Sequence, residues 1–119
     1  MKKTLVLGAS PNSERYSYAA VKQLVRYGHE VVAIGNREGE IDGIAIAKDT
    51  PQLDNIHTVS LYLSAANQPA YYDYILGINP RRIIFNPGTE NPELSRLARE
   101  RGIETLPACT LVMLSIGNY

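Results

Sequence analysis

The sequence predicts an α/β domain: a doubly wound, mainly parallel open sheet of about five strands with helices on both faces. Three observations predict it. Short apolar runs without alternation, Leu5-Val6-Leu7, Val31-Val32-Ala33-Ile34 and Ile83-Ile84-Phe85, suit strands buried on both sides. Segments with apolar residues at helical spacing lie between such runs, and the runs end in loops rich in Gly, Pro, Asn and Ser. No linker, repeat or low-complexity tract divides the 119 residues, so one domain is expected.

The first strand, Leu5 to Leu7, leaves through Gly8, which permits a sharp exit. Ala9, Ser10, Asn12, Ser13, Arg15 and Ser17 follow, just ahead of a helix whose free N–H groups and dipole favour an anion. A phosphate is expected here, although a plain strand-to-helix turn capped by serines has the same composition. The dinucleotide fingerprint G-x-G-x-x-G is broken, since only its first glycine is present, and no Gly-Lys pair supplies a nucleotide-triphosphate loop. Ala20, Val21, Leu24 and Val25 form the inner face of the helix, and Gly28 closes it before the second strand. Strand, helix and strand make a crossover unit of Rossmann type.

Gly35-Asn36-Arg37 follows the second strand, where enzymes using NAD place an acid for the ribose hydroxyls. Arg37 instead offers a fork of donors for a ribose phosphate, which favours NADP or coenzyme A; a solvated surface arginine is the plain alternative. Ile41 to Lys48 contains a short alternating strand around Ile44 and Ile46, near a sheet edge, and Asp49-Thr50-Pro51 reads as the cap of a helical turn running to Leu53. Thr58 to Leu63 is a strand, with His57 before it and a loop at Ser64–Asn67. Gln68 to Leu76 is expected to be helical, ended by Gly77, its tyrosines packing in the core or on a partner. After Ile83–Phe85 a second punctuated loop, Asn86-Pro87-Gly88-Thr89-Glu90, leads to Asn91-Pro92-Glu93, a helix start with cap, N1 proline and early acid. Gly102 closes that helix and Ile103–Leu106 is the last strand; Thr110–Leu114 fits helix or strand equally.

Charge narrows the function classes. Twelve basic and twelve acidic side chains cancel and no basic block occurs, so no nucleic-acid partner is expected. No apolar run reaches membrane-spanning length, and Met1-Lys2-Lys3 runs straight into a strand, so neither a membrane role nor a signal peptide is expected and the cytoplasm is the default compartment. Cys109, the sole cysteine, excludes an intrachain disulfide and reads as a small buried side chain.

Taken together, Gly8-Ala9-Ser10-Pro11-Asn12 with Arg15, Ser17 and Tyr18, then Gly35-Asn36-Arg37, Gly43, Phe85-Asn86-Pro87-Gly88, and Leu97 to Ile103 followed by Cys109 occur in a recognisable order. The chain resembles the small single-domain coenzyme A-binding proteins of Rossmann type, relatives of the nucleotide-binding domain in the succinyl-CoA ligase alpha subunit. The resemblance implies binding of coenzyme A or an acyl-CoA, with the pyrophosphate over the first loop and adenosine toward Asn36 and Arg37. It implies no reaction, since the ligase's phosphohistidine belongs to a domain this chain lacks. Gly35 and Arg37 depart from the Val-Asn-Pro-Lys type of turn, and Asn86-Pro87 from Trp-Gln-x-Gly. The expected ligand-binding residues are Gly8, Ala9, Ser10, Asn12, Arg15, Ser17, Tyr18, Asn36, Arg37, Asn86 and Gly88, with no catalytic or metal-binding residue. Two other readings stay open: an NADP-binding redox or sensor domain, and a regulatory subunit that docks a protein partner or a second copy through its tyrosine-rich helix and apolar tail.

Overall fold

The first apolar run becomes the centre of the sheet. The computed structural model describes residues 1–119 and contains, in order, β1 (Thr4–Leu7), α1 (Tyr16–Arg26), β2 (Val31–Ile34), β3 (Gly39–Ile41), β4 (Ile44–Ala47), β5 (Thr58–Leu61), α2 (Tyr72–Ile78), β6 (Arg82–Phe85), α3 (Pro92–Glu100), β7 (Glu104–Pro107) and α4 (Thr110–Ser115). The strand order is β3-β4-β2-β1-β5-β6-β7. β1, β5 and β6 are buried along their whole length between two layers of helix, including Arg82 at the start of β6.

Strand pleating divides the core in two. Leu5, Leu7, Val59, Leu61, Ile83 and Phe85 meet Ile75 and Leu76 of α2 and Leu94 and Ala98 of α3 on one face. Val6, Ala33 and Ile84 meet Val21 and Leu24 of α1 and Met113 and Leu114 of α4 on the other. The sheet is therefore doubly wound, as expected.

It has seven strands, not about five, and one antiparallel pair. The short strand expected around Ile44 and Ile46 is β4; it pairs with β3, which was not expected, in a hairpin turned at Asp42 and Gly43, whose φ angles of 48° and 85° are those of a tight primed turn. No helical turn forms at Asp49–Leu53, where Leu53 instead packs on the core from an irregular segment. The strand beginning at Thr58 stops at Leu61, and α2 begins only at Tyr72, after two short 3₁₀ turns at Ala65–Asn67 and Pro69–Tyr71. Gly77 lies inside α2; Asn79 ends that helix in the left-handed region, which asparagine tolerates. The undecided Thr110–Leu114 is helical, because docking on α1 buries Met113 and Leu114.

Both chain ends meet at the edge of the sheet where the parallel strands begin. The Tyr119 hydroxyl lies 2.5 Å from Thr4 Oγ1, its ring sits beneath the Arg82 guanidinium at 4.5 Å, and Lys2 Nζ donates to its main-chain oxygen at 2.6 Å. Arg82 Nε donates to Thr58 Oγ1 at 2.8 Å, while its Nη2 is buried without a partner.

Candidate functional site

β1 lies between β2, which it reaches through α1, and β5, so the loops leaving the carboxyl ends of β1 and β5 part company at this point of the sheet. Such a reversal of strand order opens a crevice in parallel sheets. Here it is a cleft of about 580 Å³ whose lining carries two arginines and no acidic residue.

The near wall is the β1–α1 loop. Gly8 has φ of 98°, and a Cβ there would stand 2.8 Å from the Tyr62 carbonyl carbon, so only glycine lets the chain turn against the end of β5. The N–H groups of Gly8 and Ala9 donate to Ile34 O at 2.8 and 2.9 Å, tying the loop to β2. Ser10 Oγ accepts from Asn12 N–H at 3.1 Å, and Asn12 Oδ1 from Glu14 N–H at 3.0 Å, so these side chains first shape the loop they belong to. No hydrogen bond within the protein engages the N–H of Ser10, Ser13, Tyr16 or Ser17.

Helix α1 starts without the usual devices. Its N-cap residue, Arg15, makes no capping bond, and the first turn holds no acid. In α3, by contrast, Asn91 accepts from Leu94 N–H and Glu93 stands in the first turn. The α1 terminus thus keeps its positive dipole end and open donors facing the cleft. Arg15 and Arg37 are exposed and line the cleft, and neither guanidinium forms an ion pair or a hydrogen bond.

The far wall comes from the segments after β5 and β6: Leu63, Ser64 and Asn67, then Pro87, Gly88 and Thr89, with Tyr71 beside them. Tyr62 closes the floor. Burial pushes its phenol well above the ordinary range, and no partner reaches the hydroxyl.

A family model described as a CoA binding domain matches residues 2–115. The chain belongs to that family. A crystal structure described only as that of an uncharacterized protein is 48% identical, with a TM-score of 0.97 over 100% of this chain and 98% of the other. A hypothetical protein from Pyrococcus horikoshii OT3 is 24% identical, TM-score 0.86, over 97% of this chain and 82% of its own. A Thermus thermophilus structure is 18% identical, TM-score 0.85, over 99% and 90%. These last two share the fold. No curated protein matches the chain.

For this CoA-binding domain the structure gathers most of the expected residues and separates two. Gly8, Ala9, Ser10 and Asn12 line the cleft from the first loop, Arg15 and Ser17 from the start of α1, Asn36 and Arg37 from the β2 exit, and Gly88 from the far wall. Tyr18 does not; one residue on from Ser17 it is turned about 100° around the helix, where it packs with the α1–α4 core and lies under Lys22 Nζ, 5.8 Å from the ring centre. Asn86 is 1% exposed and occupied inside the protein: Nδ2 donates to Ser60 Oγ at 2.9 Å and Leu61 O at 2.8 Å, while Oδ1 accepts from Thr110 N–H at 2.9 Å. It fastens α4 to β5 and β6. Cys109, half-buried as the N-cap of α4, is not part of the lining.

Sequence reasoning missed Tyr16, Tyr62, Tyr71 and Thr89 as lining residues. The signal for Tyr62 and Thr89 is positional, since they follow β5 and β6 and ligands in such sheets sit beyond the carboxyl ends of the strands. Gly35 was read as a departure from a motif. Its φ is unexceptional, but a Cβ there would lie 2.0 Å from Ala9 O, so the two loops cross only because position 35 has no side chain.

Proposed function

We propose that the chain binds coenzyme A or an acyl-CoA without catalysing a reaction. The diphosphate lies over the free N–H groups at the start of α1 with Arg15 beside it, and the adenosine end reaches Asn36 and Arg37. The pantetheine arm runs along the far wall. The observation that carries this reading is the pairing of two unpartnered guanidiniums with an uncapped helix start in a cleft free of acids, in a chain of the CoA-binding domain family.

A hydrogen bond to a charged group contributes about 1.5 to 3 kcal/mol, against ~0.3 to 1 from the helix dipole, so the arginines should dominate the polar affinity. Calorimetry with coenzyme A tests this. Arg15→Ala is expected to weaken binding by about tenfold or more, and Ser13→Ala by much less. Arg37→Ala should abolish any preference for coenzyme A over dephospho-coenzyme A, which lacks the ribose phosphate. Equal affinity in wild type, Arg15→Ala and Ser13→Ala removes the assignment.

Arg37 also favours a second reading, an NADP-binding sensor, because a guanidinium serves a 2′-phosphate as well as a 3′-phosphate. Titrating NADPH fluorescence separates the two: tight binding of NADPH with none of coenzyme A reverses the order.

A further inference from the structure

The far wall of the cleft is two separate loops, and a single side chain holds them together. Gln68 is 0% exposed. Its Nε2 donates both hydrogens, to Leu63 O at 2.9 Å in the loop after β5 and to Thr89 O at 2.8 Å in the loop after β6. Both acceptors belong to residues that line the cleft, whereas Gln68 does not itself line it. Its Oε1 accepts from Asn91 Nδ2 at 2.9 Å. Asn91 also donates to the Tyr72 hydroxyl at 2.8 Å and caps α3 by accepting from Leu94 N–H at 3.1 Å, and the Tyr72 hydroxyl donates to Glu93 Oε1 at 3.0 Å. Thr89 is held a second time, its Oγ1 donating to Asn86 O at 2.7 Å.

Every donor and acceptor of the Gln68 amide except one oxygen lone pair is thus used, in a setting where an unmade bond is costly. Helix packing alone does not call for a buried amide here: β5 and β6 are already paired along their length, from Thr58–Arg82 to Leu61–Phe85. The clamp acts just beyond that ladder, where the two chains separate to form the wall.

We infer that Gln68 is a positioning residue that fixes the wall facing the non-nucleotide arm of the ligand, and so sets affinity for the arm while leaving the nucleotide end unaffected. This rests on the coenzyme A reading above. Gln68 works through the main chain of Leu63 and Thr89. The guanidiniums and the α1 start lie on other segments, which the clamp does not touch.

The test compares two ligands by calorimetry on the full chain: coenzyme A, and 3′-phosphoadenosine 5′-diphosphate, which is the same molecule without pantetheine. Gln68→Met keeps the side-chain length and removes both donors. It is expected to weaken coenzyme A binding by about tenfold, roughly one to two lost hydrogen bonds, and to leave binding of 3′-phosphoadenosine 5′-diphosphate within about twofold of wild type. Should the orphaned Asn91 amide unfold this variant, Gln68→Met/Asn91→Ser removes that donor and keeps a cap for α3, and the same selective loss is expected. Equal loss for both ligands, or none for either, overturns the positioning role while the coenzyme A reading stands. A wild-type protein that binds neither ligand overturns both.

Discussion

Gly35→Ala isolates the contact that holds the two crossing loops of the cleft in place. Because φ at this position is unexceptional, the substitution adds one methyl group and no backbone strain. That methyl would sit 2.0 Å from Ala9 O and 3.0 Å from Ala9 C, so the β1–α1 loop must retreat by about 1.4 Å to reach ordinary contact. The retreat breaks the two tethers from Gly8 and Ala9 N–H to Ile34 O, now 2.8 and 2.9 Å long. At about 1 kcal/mol each, the expected destabilisation is about 2 kcal/mol by urea titration. The same shift moves the free amides of the loop off any diphosphate, and coenzyme A affinity should fall by about tenfold or more. Gly28→Ala is the control: with φ of 85° and nothing within 4 Å of the added Cβ, it is expected to cost about 1 kcal/mol of stability with no change in affinity. A Gly35→Ala protein as stable and as tightly binding as wild type refutes the crossing of the loops.

Asn86→Leu should destabilise the fold by about 3 to 5 kcal/mol in denaturant titration, because three hydrogen bonds are lost and Thr110 N–H and Leu61 O are left buried without a partner; a change under about 1 kcal/mol would return Asn86 to the list of candidate ligand contacts. Stability should also depend on pH through His29 and His57. Burial lowers both below the ordinary 6.5, helped at His29 by the N-terminal amine and Lys2 and at His57 by Arg82 and Lys2. His29 Nδ1 accepts from Lys2 N–H at 2.9 Å, a bond that requires the unprotonated nitrogen. The unfolded chain therefore takes up protons first: stability is complete above the ordinary histidine value and declines as pH falls below it, levelling off once both folded histidines are charged. Urea midpoints from about pH 8 to about pH 5.5 measure this, and a His29→Gln/His57→Gln variant should flatten the decline.

The fold was legible where one residue type permits one conformation. Unbroken apolar runs could only be central strands, and Asn91-Pro92-Glu93 starts α3 as its chemistry demands. Asp42-Gly43 carried a hairpin signal that was obscured because β3, Gly39 to Ile41, has a single buried residue and no alternation to declare it. Asp49-Thr50-Pro51 had a helix-start pattern but too little chain before β5 to continue it. The near wall of the site was readable because loop and helix start are contiguous. Of the far wall only Gly88 was, since Leu63, Gln68 and Thr89 meet only after β5 and β6 pair. Asn86 shows the reverse error: an amide in a motif position points inward when a neighbouring helix, here α4, needs its first N–H satisfied.

Arg82 opens β6 at the edge where Tyr119 and both histidines gather, and beyond the other end of the strand Pro87, Gly88 and Thr89 line the cleft. The three steps of strand from Arg82 to Phe85 span roughly 10 Å at the usual rise. Titration at the one end is thereby set apart from the cleft at the other. The domain can loosen its seam of termini in mild acid, and the affinity proposed for the cleft is expected to stay level across the same range.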